Sequence, residues 1–280
     1  MPVLTEHRLR LGDRHVTLVE GPAGWGECSP LPGYPCDPAA AWRAAEEAAT
    51  LGFPPGVRAE VPVNALVEGP DFDAAALTGF GAVKVKVGYP GDLDVVAAVR
   101  DAVGPAVALR VDANGAWDVE TAVTRLHALS RYDLELAEQP VESIDDLARV
   151  RRRVVVAIAA DECVRSPDDA RRVRDVGAAD AVVLKVQPLG GVRAALDVAE
   201  AAGLPAIPTS MMETSVGIAA GVALAAALDD LPYACGLATA TLLPADVTSA
   251  PLVPDARGVL AVRRVEPDRD LLARYAEAIT

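Results

Sequence analysis

From Val61 onward the chain alternates short apolar runs, rich in β-branched residues, with longer stretches of helical composition. The runs are Val61–Val67, Ala82–Val87, Ala106–Val111, Leu134–Ala137, Val154–Ala160, Ala181–Val186, Pro205–Pro208 and Tyr233–Leu237. Several intervening stretches open on a residue suited to cap a helix: Asp92, Asp118, Ser143 and Ser166. Strand-like runs that alternate with helices pair in parallel, with the helices covering the sheet. Eight such units predict an α/β fold of the (β/α)8, TIM-like barrel type. A doubly wound sheet is the alternative, but it rarely needs eight evenly spaced units.

The first sixty residues follow a different pattern. Arg8 to Glu20 alternates apolar and polar positions around Gly12-Asp13, which predicts a hairpin. A Gly/Pro-rich stretch from Gly21 to Pro38 leads into one alanine-rich helical segment, Ala39 to Thr50, and the Gly-Phe-Pro-Pro-Gly run at 52–56 ends it. This reads as a small α+β unit placed before the main body. The longest apolar run, Val216 to Leu228, has 13 residues, short of the roughly 20 needed to cross a bilayer. It suits burial against the barrel as well as it suits an interface.

In a barrel of this type the active site lies at the C-terminal ends of the strands. The residues that end or closely follow the second to eighth runs are Lys86, Asp112, Glu138, Asp161, Lys185, Ser210 and Gly236. Their successive gaps are 26, 26, 23, 24, 25 and 26 residues, each the length of one βα unit, so all seven are expected on one rim. Three carboxylates on adjacent strand ends oppose one another's ionisation unless something neutralises them. An all-carboxylate set without His or Cys selects a hard cation, Mg²⁺ with Mn²⁺ as the alternative, rather than Zn²⁺. None of the histidines (His7, His15, His127) is placed as a ligand or base.

Composition sharpens the picture at one point. Of the 26 basic residues only Lys84, Lys86 and Lys185 are lysines; the rest are arginines. Lys84 and Lys86 stand two apart on a strand and so face the same side, into the barrel mouth, with Lys185 across from them. Neighbouring ammonium groups near a cation are expected to depress a lysine pKa toward neutrality, where the free amine acts as a base, a role closed to arginine. A lysine could then remove the proton α to a carboxylate while a cation offsets the charge that develops. The formal net charge of −14 argues against a nucleic-acid partner and against an anionic membrane surface. Four cysteines without a Cys-x-x-Cys spacing read as reduced and mostly buried, and no signal peptide is visible, so a cytoplasmic location is expected.

Lys84-Val-Lys86, Asp112-Ala-Asn114, Glu138-Gln-Pro140, Asp161-Glu162 and Lys185, in this order, resemble the muconate-lactonizing subgroup of the enolase superfamily. The resemblance covers roughly residues 60–240. It implies metal ligands at Asp112, Glu138 and Asp161, an acid/base at Lys86 supported by Lys84 and Asn114, and Lys185 on the opposite face. It also implies that residues 1–60 and the tail 244–280 form a capping domain over a barrel at 61–243. Pro208 to Gly217 and Cys235 to Thr239 look most like the o-succinylbenzoate synthases within that subgroup, which are hydro-lyases of menaquinone biosynthesis. That likeness implies a small carboxylate substrate touched by Ser210 and the Gly236 backbone. The single helix before the first barrel strand departs from the family, which usually has several, so Leu31-Pro-Gly-Tyr34 is only a candidate for the substrate-facing loop. A racemase of N-acylamino acids, a dipeptide epimerase and a muconate cycloisomerase would share the same site. A Schiff-base aldolase using Lys185 and a non-catalytic binding barrel are more remote alternatives, and both leave the carboxylates without a role.

Overall fold

A computed structural model describes residues 3–277 of the chain. The chain begins with an antiparallel sheet of β1 (Thr5–Leu11), β2 (Arg14–Gly21) and β3 (Gly24–Cys28), covered by α1 (Pro38–Leu51). Asp37 caps α1 by accepting from the Ala39 amide at 3.0 Å. The expected hairpin lies in β1 and β2, with Leu11 opposite Arg14 across Gly12-Asp13.

The expected first barrel run divides in two. β4 (Glu60–Pro62) pairs antiparallel with β12 (Val259–Ala261) of the tail, and β5 (Ala65–Val67) joins the barrel. Pro62 lacks the amide that an uninterrupted central strand would need. The barrel continues through β6 (Ala82–Lys86), α2 (Asp92–Val103), β7 (Ala108–Asp112), α3 (Val119–Leu129), β8 (Leu134–Glu138), α4 (Ile144–Arg151) and β9 (Ala157–Ala160). It then runs through α5 (Pro167–Asp175), β10 (Ala181–Lys185), α6 (Val186–Leu189), α7 (Val192–Ala202), β11 (Ala206–Thr209) and α8 (Ser215–Ala227), with α9 (Arg269–Tyr275) in the tail.

Strands β5 to β11 form one parallel sheet in sequence order. The eighth run supplies single-residue bridges rather than a strand: Cys235 pairs with Val63 and Gly236 with Thr209, which closes the ring. Asp118, Ser143 and Ser166 cap their helices as expected. Asp92 does not. Gly91, at φ 87°, takes the cap position, and Asp92 is buried in the first turn of α2, accepting from the Gly88 amide and pairing with Arg125 at 2.6 Å.

Strand alternation sorts the side chains. Val83, Val85, Leu109, Val111, Ile158, Val182 and Leu184 face outward and pack with Val96, Val99, Leu126, Leu147, Val173 and Val198 of the helices. Inside, Leu136, Ala159, Ala181, Val183 and Ile207 form a small apolar plug. Helix α8 is apolar all round because it is buried on several sides, packing against β3, β4, β11 and α7. Burial thus accounts for the Val216–Leu228 run. The tail returns to the first sheet, where Arg269 pairs with Glu20 and Ala276 bridges Leu9. Among the described residues no helix is long and apolar enough to cross a membrane. All four cysteines are free, but only Cys235 is buried; Cys28, Cys36 and Cys163 are half-buried, which corrects the expectation for them.

Candidate active site

Parallel register places the site. Lys86 pairs with Asp112 and Asp112 with Glu138, so three functional residues stand at one height on β6, β7 and β8. Lys84 lies one pleat below on the same face. Asp161 follows β9 directly, and Lys185 ends β10 opposite Thr209. These residues line a cavity of about 670 Å³, together with Tyr34, Asn114, Ser210 and Gly236. All nine residues expected to form the site are therefore gathered at one mouth.

The three lysines meet the three carboxylates there. Lys84 Nζ donates to Asp112 Oδ2 at 3.0 Å and to Glu138 Oε1 at 2.9 Å. Lys86 Nζ donates to Asp112 Oδ2 and to Asn114 Oδ1, both at 2.7 Å. Lys185 Nζ pairs with Asp161 Oδ2 and donates to the Tyr34 hydroxyl at 3.1 Å. Asp112, Glu138 and Asp161 are 0%, 4% and 2% exposed. Burial opposes ionisation of Asp112, but Lys84 and Lys86 outweigh it and hold its carboxyl well below the usual range. Burial, then the Asp112 charge, pushes Glu138 up to about 7.

In the protein alone, the lowering expected for the paired lysines is not seen at Lys84, and Lys185 behaves in the same way. Burial does work against each ammonium, but Asp112 and Glu138 hold the proton on Lys84, and Asp161 and Glu162 hold it on Lys185, so both pKa values are raised.

Two backbone positions beside these carboxylates are unusual. Asn114 and Gln139, which follow Asp112 and Glu138, adopt positive φ of 45° and 37°, unusual for residues with side chains. The Gln139 carboxamide accepts from the Asp161 amide at 2.6 Å and donates to Val141 O at 2.8 Å, tying the end of β8 to the end of β9. Its only sequence signal was its place inside Glu138-Gln-Pro140.

The opposite rim differs from expectation in one respect. Ser210 Oγ donates to Gly236 O and lies 2.7 Å from Thr239 Oγ1, while the Gly236 amide is already given to Pro208 O at 3.0 Å. Gly236 therefore offers no free amide, and its missing side chain leaves room for Thr209: a Cβ there would meet Thr209 Oγ1 at 2.2 Å. The histidines pair elsewhere, with Glu20, Glu277 and Arg153 O.

Residues 71–267 match the family model described as enolase C-terminal domain-like, and residues 6–49 match the enolase N-terminal domain-like model. The o-succinylbenzoate synthase of Thermobifida fusca (strain YX) is 56% identical over 270 residues, covering 93% of this chain and 85% of that protein. The o-succinylbenzoate synthase of Mycobacterium ulcerans (strain Agy99) is 45% identical, covering 91% and 80%. The chain belongs to the enolase superfamily. A solved muconate lactonizing enzyme from Pseudomonas putida shares the fold at TM-score 0.84 and 22% identity, covering 98% of this chain and 99% of that one. A dipeptide epimerase from Enterococcus faecalis V583 does so at 0.77 and 25% identity, covering 93% and 95%.

Enolase-superfamily members are generally Mg²⁺-dependent. The donor set fits a hard cation: Asp112, Glu138 and Asp161 are all-oxygen and buried, and Glu162 Oε2 beside them is buried without a partner. Among the described residues no three acidic, His or Cys side chains converge as a finished ligand set. Lys84, Lys86 and Lys185 draw the same carboxylate oxygens toward themselves.

Proposed function

We propose that this chain is an o-succinylbenzoate synthase, a hydro-lyase that dehydrates 2-succinyl-6-hydroxy-2,4-cyclohexadiene-1-carboxylate. One observation carries the reading: Lys86 and Lys185 enter a single cavity whose wall holds three buried carboxylates. Identity to the Thermobifida fusca and Mycobacterium ulcerans enzymes supports the choice of substrate.

Asp112, Glu138 and Asp161 would hold the cation. When bound, it neutralises these carboxylates and stabilises the charge that develops on the substrate carboxylate. Lys86 takes the proton α to the carboxylate and returns a proton to the leaving hydroxyl on the same face, so water departs and the ring becomes aromatic. Lys84 and Asn114 hold Lys86 and its neighbour Asp112 in place. Lys185 opposes the enediolate charge from the other face. Ser210 and Gly236 shape the wall for the succinyl arm. Residues 1–60 with 244–280 act as the cap over a barrel at 61–243. The free cysteines support a reducing, cytoplasmic setting.

The decisive assay follows o-succinylbenzoate formation with Mg²⁺, with EDTA, and with Lys86→Ala. Turnover is expected only for the Mg²⁺-loaded wild type. Lysines on both faces also suit a two-base racemase, so efficient racemisation of N-acylamino acids without dehydration would overturn the assignment.

A further inference from the structure

The loop between β3 and α1 is built to place one side chain. Leu31-Pro32-Gly33-Tyr34 forms a turn closed by the Tyr34 amide to Leu31 O at 3.1 Å, with Gly33 at φ 84°. Proline at the second turn position and glycine at the third are what a type II turn requires. The base of the loop is pinned to the barrel. The Ser29 amide donates to Gln187 Oε1 at 2.8 Å, while on the N-terminal side Arg14 of β2 donates to Ser29 O at 2.7 Å. Gln187 is two residues beyond Lys185, so the loop is anchored beside the lysine it reaches.

Tyr34 lands on that lysine. Its hydroxyl accepts from Lys185 Nζ at 3.1 Å and donates to Asp161 Oδ1 at 3.1 Å, and Lys185 Nζ lies 4.4 Å from the centre of the Tyr34 ring. The ammonium is thus held by a carboxylate, a phenol and an aromatic face together. Lys84 and Lys86, across the cavity, have no aromatic partner among the described residues. We propose that Tyr34 is a positioning residue for Lys185, through which the seated loop sets the direction of the ammonium on the face opposite Lys86.

This inference rests on the proposed role of Lys185, and two readouts separate the two. The first is kinetic, with Mg²⁺-loaded enzyme. Tyr34→Leu is expected to lower kcat about 30-fold, and Tyr34→Phe, which keeps the ring, about 5-fold, with KM within about threefold in both. In a Lys185→Ala background Tyr34→Leu should cost less than about twofold more, because the group it positions is gone. The second readout needs no turnover. With only three lysines in the chain, reductive methylation followed by peptide mass spectrometry reports each separately. Tyr34→Leu should speed labelling at Lys185 several-fold and leave Lys84 and Lys86 unchanged. An undiminished cost of Tyr34→Leu in the Lys185→Ala background, a rise in KM at constant kcat, or equal labelling rates would each overturn the inference. Full activity of Lys185→Ala would instead overturn the role given to Lys185, and the labelling contrast would still decide whether Tyr34 holds it.

Discussion

The two walls of the cavity are built by different means. On one side Lys84, Lys86, Asp112 and Glu138 come from three strands adjacent in sequence and in the sheet, brought level by parallel register alone. On the other, Lys185 is held by Asp161 and by Tyr34, a residue 151 positions away on a loop of the N-terminal unit. The first wall needs only the barrel to form. The second also needs the N-terminal unit to seat on it. The proposed base is therefore local to the barrel, whereas the proposed opposing charge at Lys185 also touches a loop of the N-terminal unit.

Variants at each wall test that division. Lys86→Ala removes the proposed base and should lower kcat by about 10²–10⁴-fold with little change in thermal midpoint. A value near wild type would remove the distinction between the walls.

Glu27 probes the docking. It lies on β3, buried among Ser29 Oγ, the Thr214 and Gly217 amides at the start of α8, and nearby Glu213. Burial, then the Glu213 carboxylate, pushes its pKa from 4.5 up to about 7. A carboxyl raised in this way stabilises the fold while protonated. Its contribution is present in full below pH 4.5 and is lost as pH rises through about 7. Across that window the wild type should lose about 3 kcal/mol relative to Glu27→Gln, measured by urea unfolding at each pH. Parallel curves for the two proteins would show that this contact does not titrate.

Gln139→Leu breaks the tie between β8 and β9 that orients Asp161. Mg²⁺ affinity, followed by titration calorimetry, should fall about 10-fold while the fold is retained. An unchanged affinity would mean that the strand ends alone aim the carboxylates. The smallest effect is expected at the far rim. Ser210→Ala should raise KM about fivefold and leave kcat nearly unchanged, since the hydroxyl there trades hydrogen bonds with Gly236 O and Thr239.

Much of the first wall was legible in the linear order. The even spacing from Lys86 through Gly236 located the rim because each βα unit has nearly the same length. Local chemistry interrupts that rhythm at two places. Pro62 split the first run between two sheets, and Gly91 displaced Asp92 from its cap position. The motif Glu138-Gln-Pro140 contains Gln139 but not its bridging role, because a carboxamide after a glutamate has many possible partners and only the folded neighbour selects one. The ionisation of Lys84 differs from expectation for a related reason. Strand alternation places Lys84 and Lys86 side by side, but which carboxylates face them depends on the neighbouring strands.

The amino-acid sequence by itself determined the barrel, the seven positions on its rim and the scarcity of lysine that marks where an ammonium is required. All of these are periodic or compositional, and chain order preserves them. The tertiary structure alone decided that Tyr34 meets Lys185, that Glu27 is buried against α8, and that the Gly236 amide is already spent on Pro208. These contacts join residues from separate elements, and their strength comes from burial and distance, which exist only once the elements have packed.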